Sequence, residues 1–440
     1  MVACFLNQES KNMTEFKKTV EIVGGGTVSH VRAHLALAAV AYGGTARDLE
    51  RLCLEHSDKL QVNLHLTRMA NSGAGKLETN QDIKELVDGF VRDPNVKIVF
   101  MNAALCDFEG EIGGYKRYST SDEQYQASSI PSGKYAERLQ SRNQEGYEMH
   151  LSGAAKVIGT IRKERKDIFL VGFKTTCGVS VDEQYIAGLN LLKANSCNLV
   201  LANDIRTRKN MIVTPEESRY HVTTDRQEAL RNLVDMAYLR SHLTFTRSTV
   251  IKGDPVPWES PLVPDSLRQV VNYCIAQGAY KEFRGATVGH FACKIGPNTF
   301  LTSRRKTNFN DLDKIGLVKI ETDGPDTVLA YGSKPSVGGQ SQRIVFEDHP
   351  EMDCIVHAHV PIKNGSEVPI VSQRQAECGS RECGSNTSNG LKSFGDLKAV
   401  YLDNHGPNIV FNRSIDPNIV TKFIVNNFDL KSKTGGPVKL

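Results

Sequence analysis

Short apolar, β-prone runs alternating with helix-forming stretches constrain this chain most. Such runs occupy 97–104, 168–173 and 198–204, and helical segments are expected over 150–165 and 181–194. Strands that alternate with helices imply an α/β fold with a mainly parallel, Rossmann-like sheet and ligands at the carboxyl ends of its strands. Asn102, Asp107, Lys174, Asn203 and Asp204 stand at or just past those ends. Further upstream, a β-prone run over 18–23 feeds Gly24-Gly25-Gly26-Thr27, and a helix is expected over 33–40. Strand, glycine turn and helix start together aim backbone N–H groups at a phosphate. Arg32 would add a charge-assisted contact. The same glycines also serve a plain turn between a strand and a helix.

The proline-rich stretch from Lys252 to Pro264 divides the chain, because its four prolines between 255 and 264 break both helix and strand. It contains the only tryptophan, Trp258, which is expected to pin it to a domain surface. The expected organisation is an extension over 1–17, a nucleotide-binding domain over 18–250, a linker over 251–265, a metal domain over 266–431 and a frayed tail over 432–440. The polar stretch 110–142 reads as a long lid or binding loop. A net charge of +4 with dispersed Lys and Arg argues against nucleic acid as a partner. No run of about 20 apolar residues is present, so no membrane span is expected. The 10 cysteines are scattered without a framework, and the first residues lack a signal-peptide core, which together point to a reducing cytoplasm.

The second half carries the pair His357 and His359 at the end of a run that reads as a buried strand. Residues two apart on a strand share a face, so the two imidazoles would project side by side. His405 follows another apolar run, in Asp403-Asn404-His405-Gly406. Three imidazoles that leave an open position make a catalytic zinc-type site. Ordinary half-buried histidines would produce the same pattern.

The stretch from about 266 to 430 resembles the class II aldolase/adducin family. The resemblance rests on Gly289-His290-Phe291, the strand through Phe300 and Ser303, Asp311-Leu312, Lys334-Pro335-Ser336, His349-Pro350-Glu351 and the histidines. It implies an α/β/α domain around a central, mainly antiparallel sheet. It also implies a divalent metal, usually zinc, on His357, His359 and His405, which polarises a carbonyl and stabilises an enediolate. Family enzymes carry Pro-Ser-Ser-Glu where this chain has Pro335-Ser336-Val337-Gly338. The missing carboxylate leaves Glu377 and Glu382, in the repeat Glu377-Cys378-Gly379-Ser380-Arg381-Glu382-Cys383-Gly384-Ser385, as candidate catalytic groups. The family's phosphate loop is replaced by Thr302-Ser303-Arg304-Arg305-Lys306-Thr307. Thr302, Arg304, Arg305 and Ser336 are therefore the candidate phosphate-binding residues, with a solvated basic turn as the plain alternative.

The region from about 18 to 245 resembles phosphopantothenate–cysteine ligase. Four motifs carry this likeness: Gly25-Gly26-Thr27 with Val31-Arg32; Ala103-Ala104-Leu105-Cys106-Asp107; Val171-Gly172-Phe173; and Ala202-Asn203-Asp204-Ile205. The resemblance implies carboxylate activation by CTP or ATP with Mg. The residues it would assign to the nucleotide are Gly25, Gly26, Thr27, Arg32, Asp107, Phe173, Asn203 and Asp204, with Lys134 from a flexible loop. The family's Asn-x-Ser-Ser-Gly has no counterpart, and Ala36 falls near that position.

The expected function is a bifunctional enzyme with a nucleotide-dependent ligase-like half and a metal-dependent aldolase or epimerase half. The latter would act on a small phosphorylated or acidic carbonyl or polyol. A single-activity lyase with a binding module and an adducin-like assembly protein are the alternatives. Both resemblances imply a homo-oligomer.

Overall fold

The computed structural model describes residues 18–56, 60–112, 132–139, 148–245, 247–324, 327–336 and 339–436. Most of the expected loop over 110–142 therefore lies outside the described residues, as does Gly338. The chain divides into two compact units, Met1–Ile168 and Phe169–Leu440.

In the first unit, the strand Lys18–Gly26 lies between Leu60–Leu66 and Val96–Ala104, all parallel. Its buried run Thr19–Val23 is apolar apart from Thr19 and Glu21, as suits a strand covered on both faces. Helices Gly44–Leu54 and Asn80–Arg92 accompany it. Thr79 caps the second helix, and Asp82 closes the capping box. The helix expected over 33–40 does not form. Residues Val28–Arg32 and Leu35–Ala38 instead make an antiparallel hairpin. The exposure of Leu35–Ala38 alternates with period two, which outweighs the helix propensity of Leu and Ala. The segment expected to be helical over 150–165 is also shorter, with a strand at Met149–Gly153 and a helix at Ile158–Glu164.

In the second unit, Phe169–Thr176 and Leu199–Asp204 are parallel, and helix Val181–Asn195 connects them. Asn210–Val213 and Arg219–Thr223 add an antiparallel hairpin beside Leu199–Asp204. The same unit holds a ten-stranded sheet that is antiparallel except for its outermost pairings. At its centre, His290–Gly296 pairs with Cys354–His357, which pairs with Gly406–Phe411. Alternate residues of these strands enter two cores. Phe291, Cys293, Cys354 and Val356 belong to one, and Ala292 and Ile355 to the other. The architecture is thus α/β, with a mainly parallel arrangement in the amino-terminal half and a mainly antiparallel sheet in the carboxy-terminal half.

The proline-rich stretch is not a loose connector. Trp258 is buried and packs edge-on against Phe291 with ring centroids 5.4 Å apart. The described part of the expected tail is also ordered into the unit, since Thr434 N donates to His359 O at 3.1 Å. No helix of the described residues is long and apolar enough to cross a membrane. All nine described cysteines are free.

Candidate metal centre

Three histidines converge in the second unit. The strand Cys354–His357 ends at His357, so His359 lies one step beyond the regular pleat. His405 comes from the turn between Leu397–Leu402 and Gly406–Phe411. Gly406 makes that turn possible, because it has φ +145 and a Cβ there would collide with the carbonyl oxygen of Ala358. Ring centroids lie 5.1 Å apart for His357 and His359, 4.6 Å for His357 and His405, and 4.8 Å for His359 and His405. One ligand atom from each falls within 4.8 Å of the others. Among the described residues, this is the group whose spacing suits a metal ion.

The rings are only 0%, 6% and 2% exposed, respectively. Burial and mutual repulsion of positive charge hold the pKa values of His357 and His405 well below the usual histidine value. Burial likewise lowers that of His359, against the pull of Glu217. All three are therefore neutral, as metal ligation requires. His357 Nδ1 donates to Pro407 O at 2.8 Å, which leaves the Nε2 lone pair facing its neighbours. His357 Nε2 and both ring nitrogens of His405 are buried with no hydrogen-bond partner. A buried ring with two orphaned nitrogens is costly in a protein interior unless something binds it. A divalent cation satisfies that donor set.

Around the histidines lies a shell that the sequence did not disclose. Glu217 Oε2 stands 3.2 Å from His359 Nδ1. His290, opposite His357 in the sheet register, stacks on it with centroids 4.6 Å apart. Gln342 bonds the Nδ1 of His290 and accepts from Thr302 Oγ1 at 2.9 Å. No local pattern marks Glu217, which sits in a hairpin turn far upstream of the histidines. Gly289-His290 belongs to the residues that carry the aldolase/adducin resemblance, and its strand position opposite His357 is a signal for this neighbour.

The structure places the other expected site residues as follows. Thr302 is buried. Arg305 N donates to Lys334 O at 3.0 Å, and Ser336 N donates to Ser303 O at 2.9 Å, so the basic turn and the Ser336 segment are zipped together. Arg304 donates to Ile315 O at 2.8 Å, while the Arg305 side chain is exposed. Glu377 is buried and accepts from Asn198 at 3.1 Å. Glu382 accepts from Thr244 N at 3.1 Å near the start of helix Arg381–Gly390. The carboxylate found beside the histidines is Glu217 rather than either of these.

The glycine turn of the first unit spends two of its amides within the protein. Gly26 N donates to Ala41 O at 2.8 Å and Thr27 N to Ala104 O at 3.0 Å, so these amides are spent on the protein. A Cβ on Gly26 would collide with Ala39 O, so close backbone packing is what requires glycine there. Gly25 lies in the same strand end. Thr27 is buried and donates to Asn80 Oδ1 at 2.7 Å. Arg32 is buried and donates to Val31 O at 2.9 Å. Asp107 is exposed and ion-paired with Lys156. The same unit has a cleft of about 570 Å³, lined in part by His30, Arg68, Lys76, Glu78 and Lys134. Lys134 pairs with Glu78, and this holds the Glu78 carboxyl below its usual range. In the second unit, Phe173 is part of strand Phe169–Thr176. Asn203 accepts from Thr175 Oγ1 at 3.3 Å. Asp204 accepts from Thr207 N at 2.8 Å and Arg206 N at 3.1 Å, and the Thr207 bond is the main one that depresses its pKa. It acts as a turn clamp at the strand end.

Residues 268–364 match the family described as Class II Aldolase and Adducin N-terminal domain. Residues 268–364 thus read as a class II aldolase domain. Within the match lie His357 and His359 of this aldolase domain, whereas His405 comes after it. Among solved structures, the DNA/pantothenate metabolism flavoprotein from Streptococcus pneumoniae is similar at 17% identity and a TM-score of 0.40, over 50% of this chain and 97% of that one. The C-terminal domain of coenzyme A biosynthesis bifunctional protein CoaBC is similar at 14% identity and 0.34, over 50% and 95%. L-fuculose 1-phosphate aldolase is similar at 15% identity and 0.29, over 37% and 83%. No curated protein matches the chain.

Proposed function

We propose that the aldolase domain is a divalent-metal-dependent lyase or epimerase for a small carbonyl or polyol substrate bearing a phosphate or carboxylate. Zinc is the metal best suited to three imidazoles. The observation that carries this reading is His405, buried with both ring nitrogens orphaned between two other neutral imidazoles. When bound, the metal supplies Lewis-acid polarisation of a substrate oxygen. The protein's own contribution is to hold three neutral rings at fixed angles. The hydrogen bond from His357 Nδ1 to Pro407 O fixes that ring's tautomer. The exposed cations Arg305 and Lys306, beside Ser336, supply positive charge for the acidic group of the substrate. Metal analysis of the purified protein tests the reading. Wild type is expected to retain zinc, manganese or cobalt stoichiometrically, and H405A to lose it. Exchange of solvent deuterium into hydroxyketone phosphates, followed by NMR, then tests for proton abstraction. A wild-type protein that takes up none of these metals overturns the proposal.

The first unit supports a second, separate reading as a nucleotide-binding module. The cleft where Arg68, Lys76 and Lys134 stand among Glu78, Asp82 and Glu109 is its favoured site, because the amides of Gly26 and Thr27 are already satisfied. Titration with CTP or ATP and Mg is expected to show binding that K134A weakens and Gly26 variants affect only through folding.

A further inference from the structure

Glu217 is an unusual residue in an unusual place. It sits in the turn of the hairpin between Asn210–Val213 and Arg219–Thr223, with φ 62, which is uncommon for a residue with a side chain. The turn is pinned from several sides. Glu217 N donates to Thr214 O at 2.9 Å, and Glu217 O accepts from Tyr185 OH at 2.6 Å. The hairpin also grips the loop that bears the third histidine. Ser218 Oγ donates to Asn404 O, and Tyr220 OH donates to Asp403 O at 3.3 Å. From the other side, Thr434 Oγ1 donates to His405 O at 2.7 Å.

The side chain is as constrained as the backbone. It is 4% exposed, and a carboxylate buried to that degree needs opposite charge nearby. Lys193 Nζ lies 2.8 Å from Oε1, and Lys433 Nζ lies 3.7 Å from Oε2. Oε2 also faces His359 Nδ1, 3.2 Å away, within ion-pair distance but short of hydrogen-bond geometry, and neither atom is hydrogen-bonded elsewhere. A carboxylate facing one nitrogen of an imidazole holds the proton there and turns the other nitrogen outward. Carboxylates in this relation orient ligand histidines and raise their basicity.

We infer that Glu217, braced by Lys193 and Lys433, is a positioning residue that fixes His359 with Nε2 toward the metal. This rests on the metal reading above. The metal half thus obtains a carboxylate from the hairpin of the mainly parallel arrangement, outside the region where its family relatives place theirs.

The test measures cobalt and zinc affinity by competition titration on the full chain, together with the cobalt absorption spectrum. E217Q keeps the shape and removes the charge. It is expected to bind metal about 10- to 100-fold more weakly with an altered cobalt spectrum. K433Q, which removes one brace but leaves the carboxylate and Lys193, is expected to bind more weakly than wild type and more tightly than E217Q. A second measurement needs no variant. In the zinc-loaded wild type, nitrogen-15 NMR is expected to show His359 protonated at Nδ1 and metal-bound at Nε2. Wild-type affinity and spectrum in E217Q, or His359 coordinating through Nδ1, overturns the inference while leaving the metal centre standing. Failure of wild type to bind either metal overturns both.

Discussion

Gly406 sets the position of His405. Its φ of +145 is a conformation that residues with a side chain rarely adopt, and the space a Cβ would need is filled by Ala358 O. Gly406→Ala is therefore expected to push the His405 turn away from the strand that carries His357. The expected outcome is a loss of zinc affinity larger than the accompanying fall in melting temperature, read by titration and calorimetry. Unchanged affinity would mean that the turn tolerates displacement. The three histidines were legible in the sequence because short-range order encodes them. A strand end displays residues two apart together, and a tight glycine turn brings the third back. Glu217 was not legible, because nothing local distinguishes Pro215-Glu216-Glu217 from any polar hairpin tip. Glu377 and Glu382 lie near the histidine pair in sequence, but the carboxylate beside the rings arrives through space from Glu217. In the same way, Gly25-Gly26-Thr27 signalled a phosphate turn by composition, while the carbonyls that consume its amides come from Ala41 and Ala104.

At the scale of elements, helix Arg226–Ser241 is tied to the turn of the neighbouring hairpin and to the loop after Val371. Arg240 Nη2 lies 2.6 Å from Glu216 Oε1, both side chains fully buried, and the guanidinium also donates to the carbonyls of Gln373 and Arg374 at 3.1 Å. Removing one partner of such a pair leaves a buried charge uncompensated, at a cost of about 3–5 kcal/mol. Arg240→Met is expected to destabilise the second unit by that order in denaturant titration. A loss below about 1 kcal/mol would show that water reaches Glu216 once the arginine is gone. Strands with continuous apolar runs were readable at this scale, as in 97–104 and 198–204. The segment 33–40 reads as helix in sequence because Ala and Leu favour helices intrinsically. Pairing with Val28–Arg32 decided the outcome, and single-residue propensity does not report pairing.

For the molecule as a whole, the buried imidazoles give stability a direction in pH. His290 is lowered by burial to about 3 from an ordinary 6.5, and His357 and His405 move the same way. The unfolded chain therefore takes up protons first as pH falls. Folding stability contributed by these groups is complete above about 6.5 and declines as pH drops toward the folded values. Carboxylates add their own loss only at lower pH, as with Asp167, held at about 2 chiefly by its hydrogen bond to Arg165. Metal-free protein is thus expected to melt at a lower temperature at about pH 5 than at about pH 7.5. Flat melting temperatures across that interval in calorimetry would show the rings to be hydrated. The division into α/β architectures was visible in strand and helix alternation. The place of the proline-rich stretch in the second core was not, since Trp258 reveals its partner Phe291 only in three dimensions.

The segment through Thr434 has a consequence for the order of synthesis. Thr434 bonds the backbone at both His359 and His405, and Lys433 braces Glu217. A nascent chain that has exposed every ligand histidine still lacks this clasp, while its earlier unit has had time to fold. The backbone that carries two of the three rings is therefore fully tied only once residue 434 has been made.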